Sequence, residues 1–206
     1  MGIVLLSFIL GSVPSSYLAA RVTRGVDLRD VGTGTVSGSA LYRVAGFWPL
    51  AIAGVADLAK GAAGPLLALG LLTADGPVVA ALAGGAAVIG HNWSPFLRGA
   101  GGRGIAPALG ALLVAAWPGA VLLVAGMLLG KLLGETAVGA LVAEIALTPA
   151  LALWDGAVGA LTGVVIAAPM ILKRLVGNSP PDGTESRWRV YVHRLLYDND
   201  PAPRAP

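Results

Sequence analysis

Residues 104–130 read GIAPALGALLVAAWPGAVLLVAGMLLG, and no charged side chain occurs in them. A helix needs about 20 apolar residues to cross the hydrocarbon core of a bilayer, and residues 1–20, 76–97 and 156–172 are also free of charge. Ala, Leu and Gly dominate these runs, which lack the period-2 alternation of a membrane β-barrel. The pattern predicts membrane-spanning helices, whose backbone polar groups are satisfied within each segment.

The composition of the chain agrees with a membrane protein. Hydrophobic residues make up 56% and charged residues 12% of the 206 residues, and the mean hydropathy is +0.78, whereas soluble proteins carry about 25% charged residues. With no cysteine and only two histidines, disulfides, thiolate nucleophiles and Cys- or His-cluster metal sites are excluded. No metal, cofactor or nucleic acid is expected. The first apolar run lacks a basic n-region, so we expect a retained helix and not a signal peptide.

Charges and turn residues divide the membrane region into seven predicted spans. We interpret Trp117-Pro118-Gly119 as a turn, which splits residues 104–131 into two short helices. The spans lie near residues 2–20, 47–72, 77–95, 104–116, 119–131, 136–153 and 156–172.

The positive-inside rule favours this odd number of spans. With the N-terminus outside, the outer loops hold Asp75 and Asp155 and no basic residue. A single span over 104–131 would instead put Lys131, Lys173 and Arg174 outside. The predicted fold is therefore an all-α, multi-pass bundle in the cell (inner) membrane, with a cytoplasmic C-terminus and two glycine-rich cytoplasmic loops.

The first of these loops, residues 21–46, combines glycines, hydroxyls and an arginine. Its members are Gly32, Thr33, Gly34, Thr35, Ser37, Gly38, Ser39 and Arg43. Glycines let backbone N–H groups converge on an anion, hydroxyls add donors, and arginine supplies a bidentate charge. The combination predicts a phosphate site.

The second loop places Gly101, Gly102 and Gly104 around Arg103, directly before a predicted helix. Such a turn offers unpaired N–H groups and the positive end of a helix dipole, although it lacks the Gly-Lys-Ser/Thr of a Walker A loop. Either loop alone also fits a basic connector near anionic headgroups. Two such loops on one face favour a shared phosphate site.

Two further features have two interpretations each. Lys60 follows Asp57 by three residues on one helix, so it either forms a structural ion pair or binds an anion at the inner face. Residues 178–206 form a predicted tail after the membrane domain, 1–177, with a basic amphipathic helix near 186–197. That helix either lies on the inner leaflet or docks onto the protein's own cytoplasmic loops.

The motifs together resemble the bacterial acyl-phosphate:glycerol-3-phosphate acyltransferase family of multi-spanning enzymes. The matching positions are Gly11-Ser12-Val13-Pro14, Asp27, Arg29, Gly32, Gly34, Arg43, Gly46, Asp57, Lys60, Gly61, Gly90-His91, Pro95-Phe96 and Gly101-Gly102-Arg103-Gly104. The chain departs from the family at Thr33, a serine there, and at Arg103, a lysine there. It also lacks the Arg-His-x-x-Asn motif of the last span, where residues 168–171 are Ala-Pro-Met-Ile.

The resemblance implies transfer of an acyl chain from acyl phosphate to the 1-hydroxyl of glycerol 3-phosphate, which gives lysophosphatidic acid for phospholipid biosynthesis. It implies Thr33 and Arg43 as catalytic residues, acyl phosphate, glycerol 3-phosphate and membrane lipids as partners, and no cofactor. The implied substrate-binding residues are Gly32, Gly34, Ser37, Ser39, Lys60, His91, Gly101, Gly102, Arg103 and Gly104.

Two other functions stay open from the sequence. One is a divergent member that binds phosphate or lipid but has another acceptor or no activity, because the last-span polar motif is missing. The other is a non-enzymatic membrane transporter. A single acyl-transfer centre also requires both glycine-rich loops to lie within roughly 15 Å of each other, since the centre must touch both substrates.

Overall fold

The computed structural model describes residues 1–31, 34–72, 74–178, 180 and 186–201. Within these ranges the chain is all-helical, with two 3-10 turns (Leu28–Asp30 and Pro95–Leu97) and no β-strand. The α-helices are α1 (Gly2–Ser12), α2 (Ser15–Arg24), α3 (Gly38–Ala45), α4 (Phe47–Leu71), α5 (Gly76–Asn92), α6 (Ile105–Ala115), α7 (Trp117–Leu132), α8 (Thr136–Val176) and α9 (Arg187–Tyr197). The predicted all-α fold is confirmed.

Three of these segments are long and apolar enough to cross a membrane: the α1–α2 pair, α4 and α8. The shorter helices α6 and α7 are apolar as well. Large aliphatic side chains face outward, since Leu153 is 90% exposed, Leu132 82% and Ile52 70%. An apolar outer surface of this kind requires lipid or another apolar partner.

Pro14 breaks the helix that we predicted as one span over residues 2–20. α1 ends at Ser12, Val13 is extended (φ −60°, ψ 119°), and α2 begins at Ser15. Proline lacks an N–H group and disfavours helical geometry in the residue before it. The break leaves the Val13 carbonyl able to accept a hydrogen bond from Lys60 Nζ at 2.7 Å.

α8 folds back on itself at Asp155 and Gly156, which have non-helical backbone angles. A Cβ on Gly163 would lie 2.5 Å from the Cα of Thr148, whereas a straight helix would separate these residues by about 22 Å. The two arms, 136–154 and 157–176, are therefore antiparallel, which agrees with the predicted division into two helices.

The break between α6 and α7 lies at Ala116 (φ −161°, ψ 69°), just before the predicted Trp117–Gly119 turn. Pro118 occupies the first turn of α7, a position that tolerates a missing N–H group. α7 packs closely against α8, because a Cβ on Gly126 would stand 2.6 Å from the Ala143 Cβ. Small residues at such contacts let membrane helices approach closely.

α5 occupies the centre of the bundle and contacts α1, α4, α6 and α8. The main core cluster includes Val88, Leu112, Leu123, Leu147 and Ile166. A smaller cluster joins α2, the 3-10 turn at Leu28, α3 and the loop around Leu97. Both glycine-rich loops therefore meet at one end of the bundle.

The tail helix α9 docks on α8 at this same end. Val190 and Arg194 are buried there, and Arg194 Nη1 donates a hydrogen bond to the Val176 carbonyl at 2.9 Å. Trp188 stays 77% exposed. The structure has α9 packed against α8, and contact of its exposed face with the inner leaflet stays a prediction.

Candidate active site

α3 presents two predicted site hydroxyls and the predicted catalytic arginine. Ser37 caps the helix by accepting a hydrogen bond from the Ala40 N–H at 3.4 Å, and its Oγ lies 3.0 Å from Ser39 Oγ. Arg43 follows one turn after Ser39. Ser37, Ser39 and Arg43 all line one cavity of about 340 Å³, which is large enough for a small phosphate ester.

The cavity wall comes from three parts of the chain. Its lining residues are Thr35, Ser37, Ser39 and Arg43, then Ile105, Met127, Thr136, Ala137, Ala140 and Arg174, and finally Tyr197, Asp198 and Asn199 of the tail. Arg174 is already paired, because its Nη2 lies 3.1 Å from Glu144 Oε1. No carboxylate in the described ranges lies within ion-pair distance of Arg43. Arg43 is therefore available to an external anion.

The start of the first loop is held by a compact carboxylate–arginine network. Asp27 accepts hydrogen bonds from the Arg29 backbone N–H at 2.9 Å and from the Arg29 guanidinium at 2.8 Å and 3.0 Å, and Arg21 adds a fourth contact at 3.2 Å. The Arg29 hydrogen bonds hold the pKa of Asp27 at about 2, below its usual value. The network fixes the chain where it enters the loop.

The two glycine-rich loops lie side by side. The Val36 N–H donates to the Gly101 carbonyl at 3.2 Å, well within the roughly 15 Å that a single acyl-transfer centre allows. The N–H groups of Gly101 and Gly102 already have acceptors, Asn178 Oδ1 at 3.1 Å and the His91 carbonyl at 3.2 Å.

Asn178 joins both loops, a role that its local sequence does not indicate. Its Oδ1 accepts a hydrogen bond from the Gly101 N–H. Its Nδ2 donates to the Gly101 carbonyl at 2.9 Å and to the Gly34 carbonyl at 3.1 Å. One amide at the end of the last membrane helix thus holds the loops together. Only its position directly after Gly177, the C-cap of α8, could have suggested a structural function.

Arg103 is engaged by the chain itself. Its Nη1 donates to the Lys173 carbonyl at 2.7 Å, and its Nε lies 2.7 Å from Asp198 Oδ1 of the tail. Burial lowers the pKa of Arg103 and raises the pKa of Asp198, and the attraction between the two groups opposes both shifts. A carboxylate therefore occupies the position at Arg103 that we expected a substrate anion to occupy.

Lys60 and His91 lie in a buried polar cluster apart from the cavity. Lys60 Nζ is 2.8 Å from Asp57 Oδ1, and His91 Nδ1 is 3.8 Å from the same oxygen. His91 also lines a cleft of about 10 Å³ beside Gly101 and Gly102, which is too small for a phosphate. The geometry is that of the structural ion pair, and substrate binding by Lys60 and His91 stays a prediction.

The remaining predicted positions are placed as follows. Gly32 and Thr33 lie outside the described residues, so the predicted catalytic hydroxyl of Thr33 is not described. Gly34 has a φ of +67°. Gly104 has a φ of +80° and precedes the first turn of α6. Neither Gly104 nor Arg103 lines the cavity that holds Arg43.

The last-span positions that depart from the family motif are part of the helix packing. Met170 is fully buried in the core, and the Pro169 carbonyl accepts a hydrogen bond from Asn92 Nδ2 at 3.0 Å. Residues 168–171 do not line the cavity that holds Arg43. The tail supplies polar groups to that cavity from Tyr197, Asp198 and Asn199.

Fold and site define an all-helical membrane protein with a cavity, lined by Arg43, at one end of its bundle. The glycerol-3-phosphate acyltransferase family model matches residues 1–178, and the chain belongs to this family. α9 lies beyond the matched residues.

Relatives and solved structures agree with this membership. The chain is 35% identical over 198 residues to a glycerol-3-phosphate acyltransferase of Synechococcus sp. (strain CC9902), covering 95% of this chain and 91% of that one. It is 41% identical over 107 residues to that of Shouchella clausii (strain KSM-K16), where the alignment spans 52% of each chain.

The fold matches the crystal structure of PlsY (YgiH), an integral membrane glycerol 3-phosphate acyltransferase, in its glycerol 3-phosphate form. The TM-score is 0.73 at 26% identity, with 89% of this chain and 95% of that chain covered. The lysophosphatidic acid form gives a TM-score of 0.73 at 23% identity, covering 97% and 92%. The chain is therefore a multi-pass integral membrane protein.

Proposed function

We propose that this protein transfers an acyl chain from acyl phosphate to the 1-hydroxyl of glycerol 3-phosphate and so forms lysophosphatidic acid. Family membership supports the reaction. The location of the reaction rests on one cavity, in which Arg43 stands with the Ser37 and Ser39 hydroxyls and has no carboxylate partner among the described residues.

The chemistry needs positioning more than activation. The 1-hydroxyl oxygen bonds to the acyl carbon, the bond from that carbon to the phosphate oxygen breaks, and phosphate leaves with the electron pair while the hydroxyl proton passes to it. Phosphate is a good leaving group, so the protein has to hold two anions and stabilise the developing oxyanion. Arg43, Ser37 and Ser39 hold one phosphate, with Thr33 as a further donor.

Arg103 takes the second anion, while the Gly101 and Gly102 N–H groups keep their partners within the protein. For that, Asp198 has to leave Arg103, because an anion and a carboxylate compete for one guanidinium. We assign the acyltransferase unit to residues 1–177 and regard residues 178–206 as an appended cytoplasmic segment.

We also propose seven membrane crossings with the N-terminus outside. The crossings are the α1–α2 pair, α4, α5, α6, α7 and the two arms of α8. This arrangement puts both glycine-rich loops and α9 on the cytoplasmic side, where the basic residues of the loops concentrate.

The lack of native cysteine makes the topology directly testable. Single cysteines at Asp155 and Arg98 can be labelled in whole cells with a thiol reagent that does not cross membranes. We expect Asp155→Cys to react in intact cells and Arg98→Cys to react only after permeabilisation. Labelling of both positions from outside would contradict the topology.

Purified protein with acyl phosphate and glycerol 3-phosphate tests the reaction itself. We expect lysophosphatidic acid to accumulate in proportion to enzyme. Folded protein that binds glycerol 3-phosphate without turnover would instead indicate the divergent member, for which the Ala-Pro-Met-Ile sequence at 168–171 is the specific reason.

A further inference from the structure

A second cavity, of about 840 Å³, lies between the loop after α5, the end of α8 and the tail. Its lining residues are Trp93, Arg98, Gly99, Ala100, Lys173, Leu175, Val176, Gly177, Asn178, Pro180, Trp188 and Tyr191. None of them lines the cavity that holds Arg43. The two cavities are therefore separate sites.

Lys173 is the unusual residue of this second cavity. It is 1% exposed, yet its Nζ has only a 3.5 Å contact with the Gly99 carbonyl and a position 5.2 Å from the Trp93 ring centroid. No carboxylate in the described ranges lies within ion-pair distance of it. Its neighbour Arg174, by contrast, has Glu144.

A buried cation without a counter-ion is costly. The free-energy cost of removing water from an ammonium group is compensated only by an anion or by several good hydrogen-bond acceptors. Lys173 has neither within the described residues. Arg98 supplies a second positive charge to the same cavity, and the described residues of its lining include no Asp or Glu. The charge of the cavity therefore selects an anion.

The other residues of the cavity wall favour a ligand with a long apolar group. The large apolar side chains of this wall are Trp93, Trp188, Tyr191, Leu175 and Val176. Trp and Tyr are enriched where a membrane meets water, because they present an apolar ring and a polar atom. The cavity also lies where the last membrane helix ends. Its chemistry is that of an anionic head group with an acyl chain.

We propose that this cavity binds an anionic phospholipid of the surrounding bilayer, with the phosphate at Lys173 and Arg98 and an acyl chain along Trp93 and Trp188. A bilayer lipid fits better than a reaction substrate for two reasons. The cavity shares no residue with the Arg43 site, and Pro180, Trp188 and Tyr191 lie beyond the residues that the family model matches. The proposal does not depend on the acyltransferase reaction.

Fluorescence quenching by brominated lipid tests this binding in the full chain, purified in detergent. Bromine on an acyl chain quenches tryptophan on contact, and Trp93 and Trp188 line the cavity. We expect saturable quenching by dibrominated phosphatidylglycerol, a smaller amplitude in Trp188→Phe, and little saturable quenching by dibrominated phosphatidylcholine. Equal saturable quenching by both lipids would overturn the proposal.

Variants then test the two charges. Lys173→Gln and Arg98→Gln should each weaken phosphatidylglycerol binding by roughly tenfold, because each removes a charge-assisted contact to phosphate. Arg187→Gln is the matched control, an exposed tail arginine that does not line the cavity. Unchanged affinity in Arg98→Gln would overturn the proposal even if Lys173→Gln fails to fold.

A competition experiment separates bilayer lipid from acyl donor. An uncleavable acyl phosphonate, which imitates acyl phosphate, should displace the brominated phosphatidylglycerol only at concentrations well above those at which unlabelled phosphatidylglycerol does. Displacement by the phosphonate at lower concentration would assign the cavity to the acyl donor and overturn the proposal for a bilayer lipid.

Discussion

The two glycine-rich loops differ in what their arginines contact. Arg43 lines an open cavity beside Ser37 and Ser39 and has no carboxylate partner in the part of the chain that the structure describes. Arg103 is bound to the Lys173 carbonyl and to Asp198. Similar residue types therefore produce an available anion site in one loop and an occupied one in the other. In such loops an anion binds directly where the donors have no partner within the protein, and elsewhere only after that partner has left.

The largest expected effect concerns the close packing of the second loop. Gly101→Ala should strongly destabilise the protein, because a Cβ would collide with the carbonyl oxygens of His91 and Asn92. Gly54→Ala is the control, since a Cβ there meets nothing within 4 Å and alanine favours the helix by about 1 kcal/mol. Thermal unfolding in detergent gives the unfolding temperature of each variant. Equal unfolding temperatures would mean that the second loop is looser than the structure has it.

Loss of the amide that joins the loops should have the next largest effect. Asn178→Ala removes three hydrogen bonds, to Gly34 and twice to Gly101, each worth about 1 kcal/mol. We expect a lower unfolding temperature and reduced acyl transfer, because the two loops are no longer held side by side. Unfolding and turnover measured on the same preparation check this. Full activity in Asn178→Ala would show that the loops act independently.

Removing the charge of Asp198 should release Arg103. In Asp198→Asn we expect the KM for one anionic substrate to fall by roughly 3- to 10-fold, because the carboxylate no longer competes for the guanidinium. Asp200→Asn is the control: Asp200 pairs with Arg194 of the same tail, and its electrostatic effect on Arg103 is smaller than that of Asp198. A higher KM in Asp198→Asn would mean that the tail contributes binding groups, in place of the motif absent from 168–171.

The smallest effect is a pH dependence at the entry to the first loop. The pKa of Asp27 is lowered to about 2 by Arg29, so its ionised form stabilises the fold above the ordinary pKa near 3.8, and this contribution is lost as pH falls toward 2. Unfolding temperatures between pH 5 and pH 2 should fall more steeply in the wild type than in Asp27→Asn. Parallel curves would contradict the network's role.

Much of the fold could be predicted because its signals are local. Charge-free runs mark the helices, Asp155-Gly156 marks the turn within α8, and the stripe of Trp188 and Tyr191 marks α9. The short helix α3 was missed, since the loop 21–46 is rich in glycine and hydroxyl residues. The sequence predicts Ser37, its N-cap, only as a phosphate ligand, a role that stays a prediction.

The occupation of the second loop could not be predicted, because its partners are remote in the sequence. Asp198 lies 95 residues after Arg103 in the sequence, and Asn178 lies 144 residues after Gly34. Nothing in the local sequence of either loop indicates which distant group will bind it. The residue types of both loops predict anion binding, and only tertiary contacts show which arginine already has a partner.

The most direct test of the central claim, that acyl transfer occurs at the Arg43 cavity, is the rate of lysophosphatidic acid formation by purified Arg43→Ala. The account predicts a loss of about 100-fold or more, the usual scale for removing a donor that stabilises the transition state, with unfolding behaviour unchanged. Arg24→Ala, which removes an exposed arginine at the end of α2, should keep wild-type activity. Wild-type rates in Arg43→Ala would contradict the account.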